Sequence, residues 1–340
     1  MAAEMMRAWA VDVPGPMRTH PLAWVQRETP EPGPLQVRVR VRACGVCRTD
    51  LHLSEGDLTP KSHLVIPGHE VVGIVDQVGP DCTRFAKGDR IGIPWLAHTC
   101  GICRFCRSGR ENLCVNPSFT GWDLDGGYAE YAVVNEAYAY AIPDVFSDEQ
   151  AAPLLCAGII GFRALRRSKI QPGGRLGIYG FGGSAHLTAQ VALAEGARLH
   201  VMTRSADARQ LALELGATSV GDTTEMPPEP LDAAIVFAPV GSIVLPALEA
   251  LDRGGTVAVA GIYLTDIPAL NYERHLFDER SLCSVTANTR DDGLEFLETA
   301  ARIGIKVSTT PYQFDETNKA LVDLAEDRVN GAAVLLLGQS

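Results

Sequence analysis

Four cysteines fall within fifteen residues, at Cys100, Cys103, Cys106 and Cys114, in the run CGICRFCRSGRENLC. The gaps between them are two, two and seven residues. A segment so dense in thiols is constrained to fold back on itself, because four thiolates at this spacing suit one tetrahedral Zn²⁺ with Zn–S bonds of about 2.3 Å. Disulfides or separate buried thiols are the alternative, but short-spaced cysteines in a chain of intracellular character favour metal. A cage of four sulfurs leaves no coordination position open. It predicts a stapled lobe, at about residues 95–116, with no chemistry of its own.

Composition limits what the lobe is attached to. With 340 residues and 46% hydrophobic content, the chain is long enough for two domains with real cores. The formal charge of −11 argues against nucleic acid as a partner, since phosphate binding needs clustered Lys and Arg. The first residues, MAAEMMRAWAVDVPGP, lack the long apolar core of a signal peptide. No stretch approaches the roughly 18 apolar residues of a membrane span. The expectation is a cytoplasmic protein without a membrane partner, its nine cysteines reduced.

Patterning changes along the chain. From Leu35 to Cys44, Val37, Val39 and Val41 alternate with Arg38, Arg40 and Arg42, which is the period of a strand. The arginine column reads as a solvated face, with an anion site as the lesser alternative. Further strands are expected at His69 to Val78, Asp89 to Trp95 and Tyr128 to Val134, with Gly and Pro between them. This first region is mostly β to about residue 150.

Beyond it, strands at Arg175 to Tyr179, Arg198 to Thr203, Leu231 to Ala238 and Thr256 to Ile262 alternate with helices at Ala185 to Leu193, Asp207 to Leu215 and around Ile243 to Leu251. Such alternation predicts an α/β fold with a doubly wound parallel sheet. A helix (Leu294 to Ala301), a strand around Val307, a helix (Glu316 to Ala325) and a strand (Ala332 to Leu337) close the chain.

Gly180, Gly182 and Ala185, with Gly183 between them, form G-x-G-x-x-A after a strand and at a helix start. In that context the pattern predicts a dinucleotide site. The first Gly allows the turn, the second lets a pyrophosphate approach, and the small third residue packs helix on strand. About 20 residues on, where NAD sites carry a carboxylate for the ribose 2′-OH, stand Thr203, Arg204 and Ser205. The missing carboxylate and the nearby guanidinium lean the expectation towards NADP(H) over NAD(H).

Three quieter segments remain: ACGVCRTDLH, IPGHEVVG and PLLCAG. Each has an ordinary structural reading when taken singly. Together with GGYAEYAVV, the four-cysteine run and the glycine turn, in this order, they make the chain resemble the zinc-dependent medium-chain alcohol dehydrogenases over nearly its whole length. Within that family it is similar to a bacterial branch near the cinnamyl and yeast-type enzymes.

The resemblance implies a GroES-like, mostly β catalytic domain (1–155 and 290–340) and a Rossmann domain (156–289). It implies a second zinc, catalytic, held by Cys47, His69 and Cys156, with one position left for water or substrate. Cys44 is not a ligand in the family pattern. Asp50 would orient His69, and Glu70 would lie near the metal. Thr49 and His52 would relay the alcohol proton while hydride passes to the nicotinamide, and Arg48 would meet the cofactor pyrophosphate. Trp95, Phe119 and Trp122 are candidate pocket walls, suited to primary or aromatic alcohols and aldehydes. Ile160 departs from the Thr that many members carry. Cys82 and Cys283 read as structural. A dimer or tetramer of identical chains is the expected assembly. A zinc-free quinone or enone reductase of the same superfamily and a non-catalytic zinc-stabilised binding protein are the competing readings; Cys47, His69 and the four-cysteine lobe speak against the first, and the intact ligand set with Thr49 and His52 against the second.

Overall fold

A computed structural model describes residues 4–338. The chain divides into two units. One holds Met1–Cys156, Ala287–Ala301 and Val307–Ser340; the other holds Ala157–Thr286 and Arg302–Lys306.

The first unit is built on a seven-stranded sheet. Its long strand, Gln36–Val46, pairs with Val71–Val78, Tyr131–Asn135 and Ala332–Leu336, all antiparallel. The periodicity of this strand is real, but the expected solvated face is not. Val37, Val39 and Val41 are buried as the pattern demands, and so is Arg38. Its guanidinium binds both carboxylate oxygens of Asp76 (Nε to Oδ1 3.0 Å, Nη2 to Oδ2 2.8 Å) and lies over the Tyr131 ring. A fork of donors met by a planar carboxylate can be covered where a solitary charge cannot. Only Arg40 is fully exposed.

The last expected strand pair is displaced by a few residues: Thr309–Gln313, not Val307, runs parallel to Ala332–Leu336. A hairpin of Met5–Val11 and Leu22–Glu28 carries alternating burial that the sequence reading did not single out. The apolar side chains of strands and hairpin make one core, which includes Val39, Leu51, Ile66, Val71 and Tyr128.

The second unit has a six-stranded, all-parallel sheet. Its spatial order is Ser219–Gly221, Arg198–Met202, Arg175–Tyr179, Leu231–Val236, Leu251–Val259, Ser281–Ser284. In chain order this is 3-2-1-4-5-6, the doubly wound order with a switch point between the first and fourth strands. The helix expected at Ile243 to Leu251 is shorter, a 3-10 turn running into Val244–Glu249. Leu251 already begins the next strand, which ends at Val259 and not Ile262. Among helices of eight residues or more, two were not anticipated from sequence, Arg48–Glu55 and Ala157–Ser168. Among the described residues no helix is long and apolar enough to cross a membrane.

Candidate active site

The first unit gathers Cys47, His69, Glu70 and Cys156, one donor atom from each lying within 4.8 Å of the others. Each comes from a different local device. Cys47 follows the long strand and caps the helix Arg48–Glu55, its Sγ accepting the Thr49 N–H at 3.3 Å. His69 and Glu70 precede the strand Val71–Val78, and Cys156 follows the 3-10 turn Ala152–Leu155. Cys47 Sγ stands 3.2 Å from His69 Nε2.

Asp50 ties these segments together. It is buried; Oδ2 accepts the Cys47 N–H and Oδ1 the Gly68 N–H, both at 3.0 Å. His69 Nδ1 lies 3.2 Å from Oδ1. That contact is electrostatic and off the line of a hydrogen bond, since Nδ1 has no hydrogen-bond partner. A carboxylate behind the far ring nitrogen is what keeps a metal-ligating His in one orientation. Gly45 completes the cluster. Its N–H donates to the Glu70 carbonyl at 3.0 Å, and a Cβ there would fall 1.7 Å from Glu70 Oε2. A bare α-carbon is what lets the Glu70 carboxylate turn inwards.

The donors fit a zinc ion. A hydrogen bond from the Cys156 thiol, and then the His69 imidazole, hold the Cys47 thiol well below its ordinary value, while the same contact pushes Cys156 up. A divalent cation would take the place of the shared proton among these soft donors. Three-ligand coordination leaves one position open; here the buried Glu70 carboxylate stands among the donors.

The four-cysteine run also closes on one point. Sγ–Sγ separations are 3.5 Å (Cys103–Cys106), 3.5 Å (Cys100–Cys114) and 4.0 Å (Cys100–Cys106). Four sulfurs about 2.3 Å from a tetrahedral centre would be about 3.8 Å apart. None of the nine cysteines is in a disulfide. Backbone N–H groups of Cys106 and Val115 hold the Cys103 thiol down to about 6, and burial pushes Cys106 up to about 11.

Around the first cluster, His69 meets Trp95 edge-on at 4.8 Å. Trp95 stacks on Phe119 (4.8 Å, 16°) and on Trp122 (6.2 Å, 7°). His52 Nδ1 lies 2.9 Å from Asp57 Oδ2, a partner that spacing alone did not suggest. Thr49 is half-buried on the same helix. The Arg48 guanidinium pairs with Asp327.

In the second unit the glycine turn follows the first strand, at the switch point. Gly180 has φ +85°, and a Cβ there would sit 2.8 Å from the Ala238 nitrogen. A Cβ on Gly182 would meet nothing within 4 Å, leaving open space at the N-terminus of the helix Gly183–Ala194. Ala185 is fully buried, as a helix–strand contact requires. This turn fits a dinucleotide pyrophosphate. Thr203 is buried beyond the second strand; Arg204 is exposed; Ser205 accepts the Ala208 N–H at 3.2 Å and caps the next helix. Ile160 is half-buried on Ala157–Ser168.

Comparison with known proteins agrees with both units. Residues 33–144 match the family model "Alcohol dehydrogenase GroES-like domain", and residues 183–302 match "Zinc-binding dehydrogenase". The chain is 59% identical to "Probable alcohol dehydrogenase AdhA" of Mycobacterium tuberculosis over 337 residues, 98% of this chain and 97% of that one. It is 36% identical to an alcohol dehydrogenase of Geobacillus stearothermophilus, covering 93% and 96% of the two chains. A cinnamyl alcohol dehydrogenase structure from Sorghum bicolor superposes with a TM-score of 0.88 at 27% identity, covering 98% and 97%. The chain belongs to the zinc-type medium-chain alcohol dehydrogenases. It is an oxidoreductase that interconverts alcohols and aldehydes with a nicotinamide dinucleotide.

Proposed function

We propose that Cys47, His69 and Cys156 hold the catalytic zinc, that the four-cysteine lobe holds a second, structural zinc, and that the reaction runs between primary or aromatic alcohols and their aldehydes. The carrying observation is the convergence of Cys47, His69, Glu70 and Cys156, from segments more than a hundred residues apart, on one buried point. When bound there, zinc supplies a Lewis acid that makes an alcohol proton easier to remove. Glu70 would stand beside the metal as a further carboxylate donor. Asp50 keeps His69 in register. Thr49 would take the alcohol proton, and His52, whose ring Asp57 holds by Nδ1, would deliver it to solvent. Trp95, Phe119 and Trp122 offer flat apolar surface to the substrate.

Gly180, Gly182, Gly183 and Ala185 receive the cofactor pyrophosphate, with Arg48 as a further anion contact once it leaves Asp327. Thr203, Arg204 and Ser205 favour NADP(H), because no carboxylate repels a 2′-phosphate and Arg204 is exposed for it. A homo-oligomer is supported by the open edge of Ser281–Ser284, which pairs on one side only, and by exposed Tyr263, Tyr272 and Phe277 in the segment before it. We place the protein in the cytoplasm, where reduced cysteines suit both zinc sites.

Metal analysis paired with alcohol-dependent reduction of NAD⁺ and NADP⁺ tests the reading. The expected result is about two zinc atoms per chain and turnover that Cys47→Ser abolishes while the fold persists. One zinc per chain, or full activity after that substitution, would overturn the catalytic assignment.

A further inference from the structure

The helix Arg48–Glu55, which carries Thr49 and His52, runs into a loop at residues 56–64. The loop is tied at both ends. At its start Gly56 and Leu58 donate their N–H groups to the His52 carbonyl, both at 3.0 Å, and Asp57 meets the His52 ring. At its end the Arg27 guanidinium donates to the Leu64 carbonyl. The backbone between these ties is held in place, and two of its residues reach Trp122.

Thr59 offers its carbonyl to Trp122 Nε1 at 2.8 Å. One hydrogen bond pins one edge of an indole and leaves the ring plane free to hinge about it. Lys61 supplies the second constraint. Its ammonium lies over the face of the Trp122 ring, 4.6 Å from the centroid. The Lys61 side chain is exposed, and among the described residues it meets no carboxylate. A cation without an ion pair is drawn to the negative face of an indole, the strongest of the aromatic partners. Edge and face together fix the plane. The plane found lies within 7° of Trp95 and within 21° of Phe119.

We infer that Lys61 is a specificity-determining residue. By holding Trp122 parallel to Trp95 and Phe119 it keeps the substrate wall flat, and so selects planar aromatic alcohols over puckered ones of the same size. Near-parallel rings stack favourably on a flat π-system, and a saturated ring cannot match that geometry. Lys61 acts through Trp122 and not on the reacting atoms. The inference rests on the reading of Trp95, Phe119 and Trp122 as pocket walls and adds what sets their geometry.

The test is the ratio of kcat/KM for benzyl alcohol to that for cyclohexylmethanol, measured on the zinc-loaded full chain. Both are primary alcohols with the same carbon skeleton, and they differ in flatness. Lys61→Ala should lower the ratio about two- to fivefold, the worth of an exposed cation–π contact. Lys61→Arg keeps a cation over the ring and should keep the parent ratio. Because Lys61 is exposed, neither substitution threatens the fold. Trp122→Leu separates two kinds of failure. If it leaves the ratio unchanged, or if the parent turns over neither alcohol, the wall reading falls and this inference with it. If Trp122→Leu lowers the ratio and Lys61→Ala does not, or if Lys61→Arg falls as far as Lys61→Ala, this inference alone is overturned.

Discussion

Gly45 and Glu70 are locked by a close approach: a Cβ on Gly45 would lie 1.7 Å from Glu70 Oε2 and 2.9 Å from Glu70 Cβ. The carboxylate reaches the Cys47, His69 and Cys156 side chains through space that no other residue type would leave. Gly45→Ala is expected to push Glu70 out or to part the two strands here. Zinc content should fall towards one per chain, and kcat/KM by at least about tenfold, a barrier change of about 1.4 kcal/mol. Retention of both metals and full activity would show that the Glu70 position is immaterial.

Asp50 joins the Cys47 and His69 segments through two N–H groups and backs the His69 ring. Asp50→Asn keeps the shape but loses the charge and one acceptor. Catalytic-site zinc affinity, measured by chelator competition, should drop by about 10–100-fold, with the four-cysteine zinc unaffected. Equal loss from both sites would point to general unfolding instead.

The strand end at Thr203 lacks the acid that NAD enzymes place there. Introducing it, Thr203→Asp, should move the ratio of kcat/KM values towards NAD(H) by at least about tenfold, because the new carboxylate repels a 2′-phosphate and accepts a 2′-OH. An unchanged ratio would mean that this strand end does not meet the adenosine ribose.

The lobe and its neighbouring helix give a pH signature. Burial opposes ionisation of Glu111, but the hydrogen bonds from Arg290 outweigh it and hold the carboxyl below its ordinary 4.5. Its folded value is depressed, so the stabilisation is present above the unfolded value and is lost as pH falls through the folded one. Glu111→Gln should therefore lower Tm at pH 7, and the gap from the parent should close as pH falls below about 4.5. A gap independent of pH would assign Glu111 to packing alone.

Cys103→Ser opens the four-sulfur cage. Thermal stability should fall by several degrees, as expected for loss of a local metal staple, while folded molecules keep their turnover. Loss of turnover without loss of stability would contradict a purely structural lobe.

The glycine turn, the alternation around it and the four-cysteine run are local signals, fixed by spacing along a few dozen residues. They determine the parallel sheet and the lobe because backbone sterics and metal geometry act over that same range. Residue types at Cys47, His69 and Cys156 also stand in the sequence, as part of a resemblance.

Only tertiary structure decided the rest. Arg38 lies in a perfect solvent-facing register yet is buried, because Asp76 and Tyr131 arrive from other strands. Asp57 beside His52, Asp327 on Arg48, and the Gly45–Glu70 approach depend on side chains meeting after the chain has folded. The lobe's attachment through Glu111 and Arg290 spans 179 residues. Periodicity reports which face a residue occupies and nothing of what another segment brings to that face.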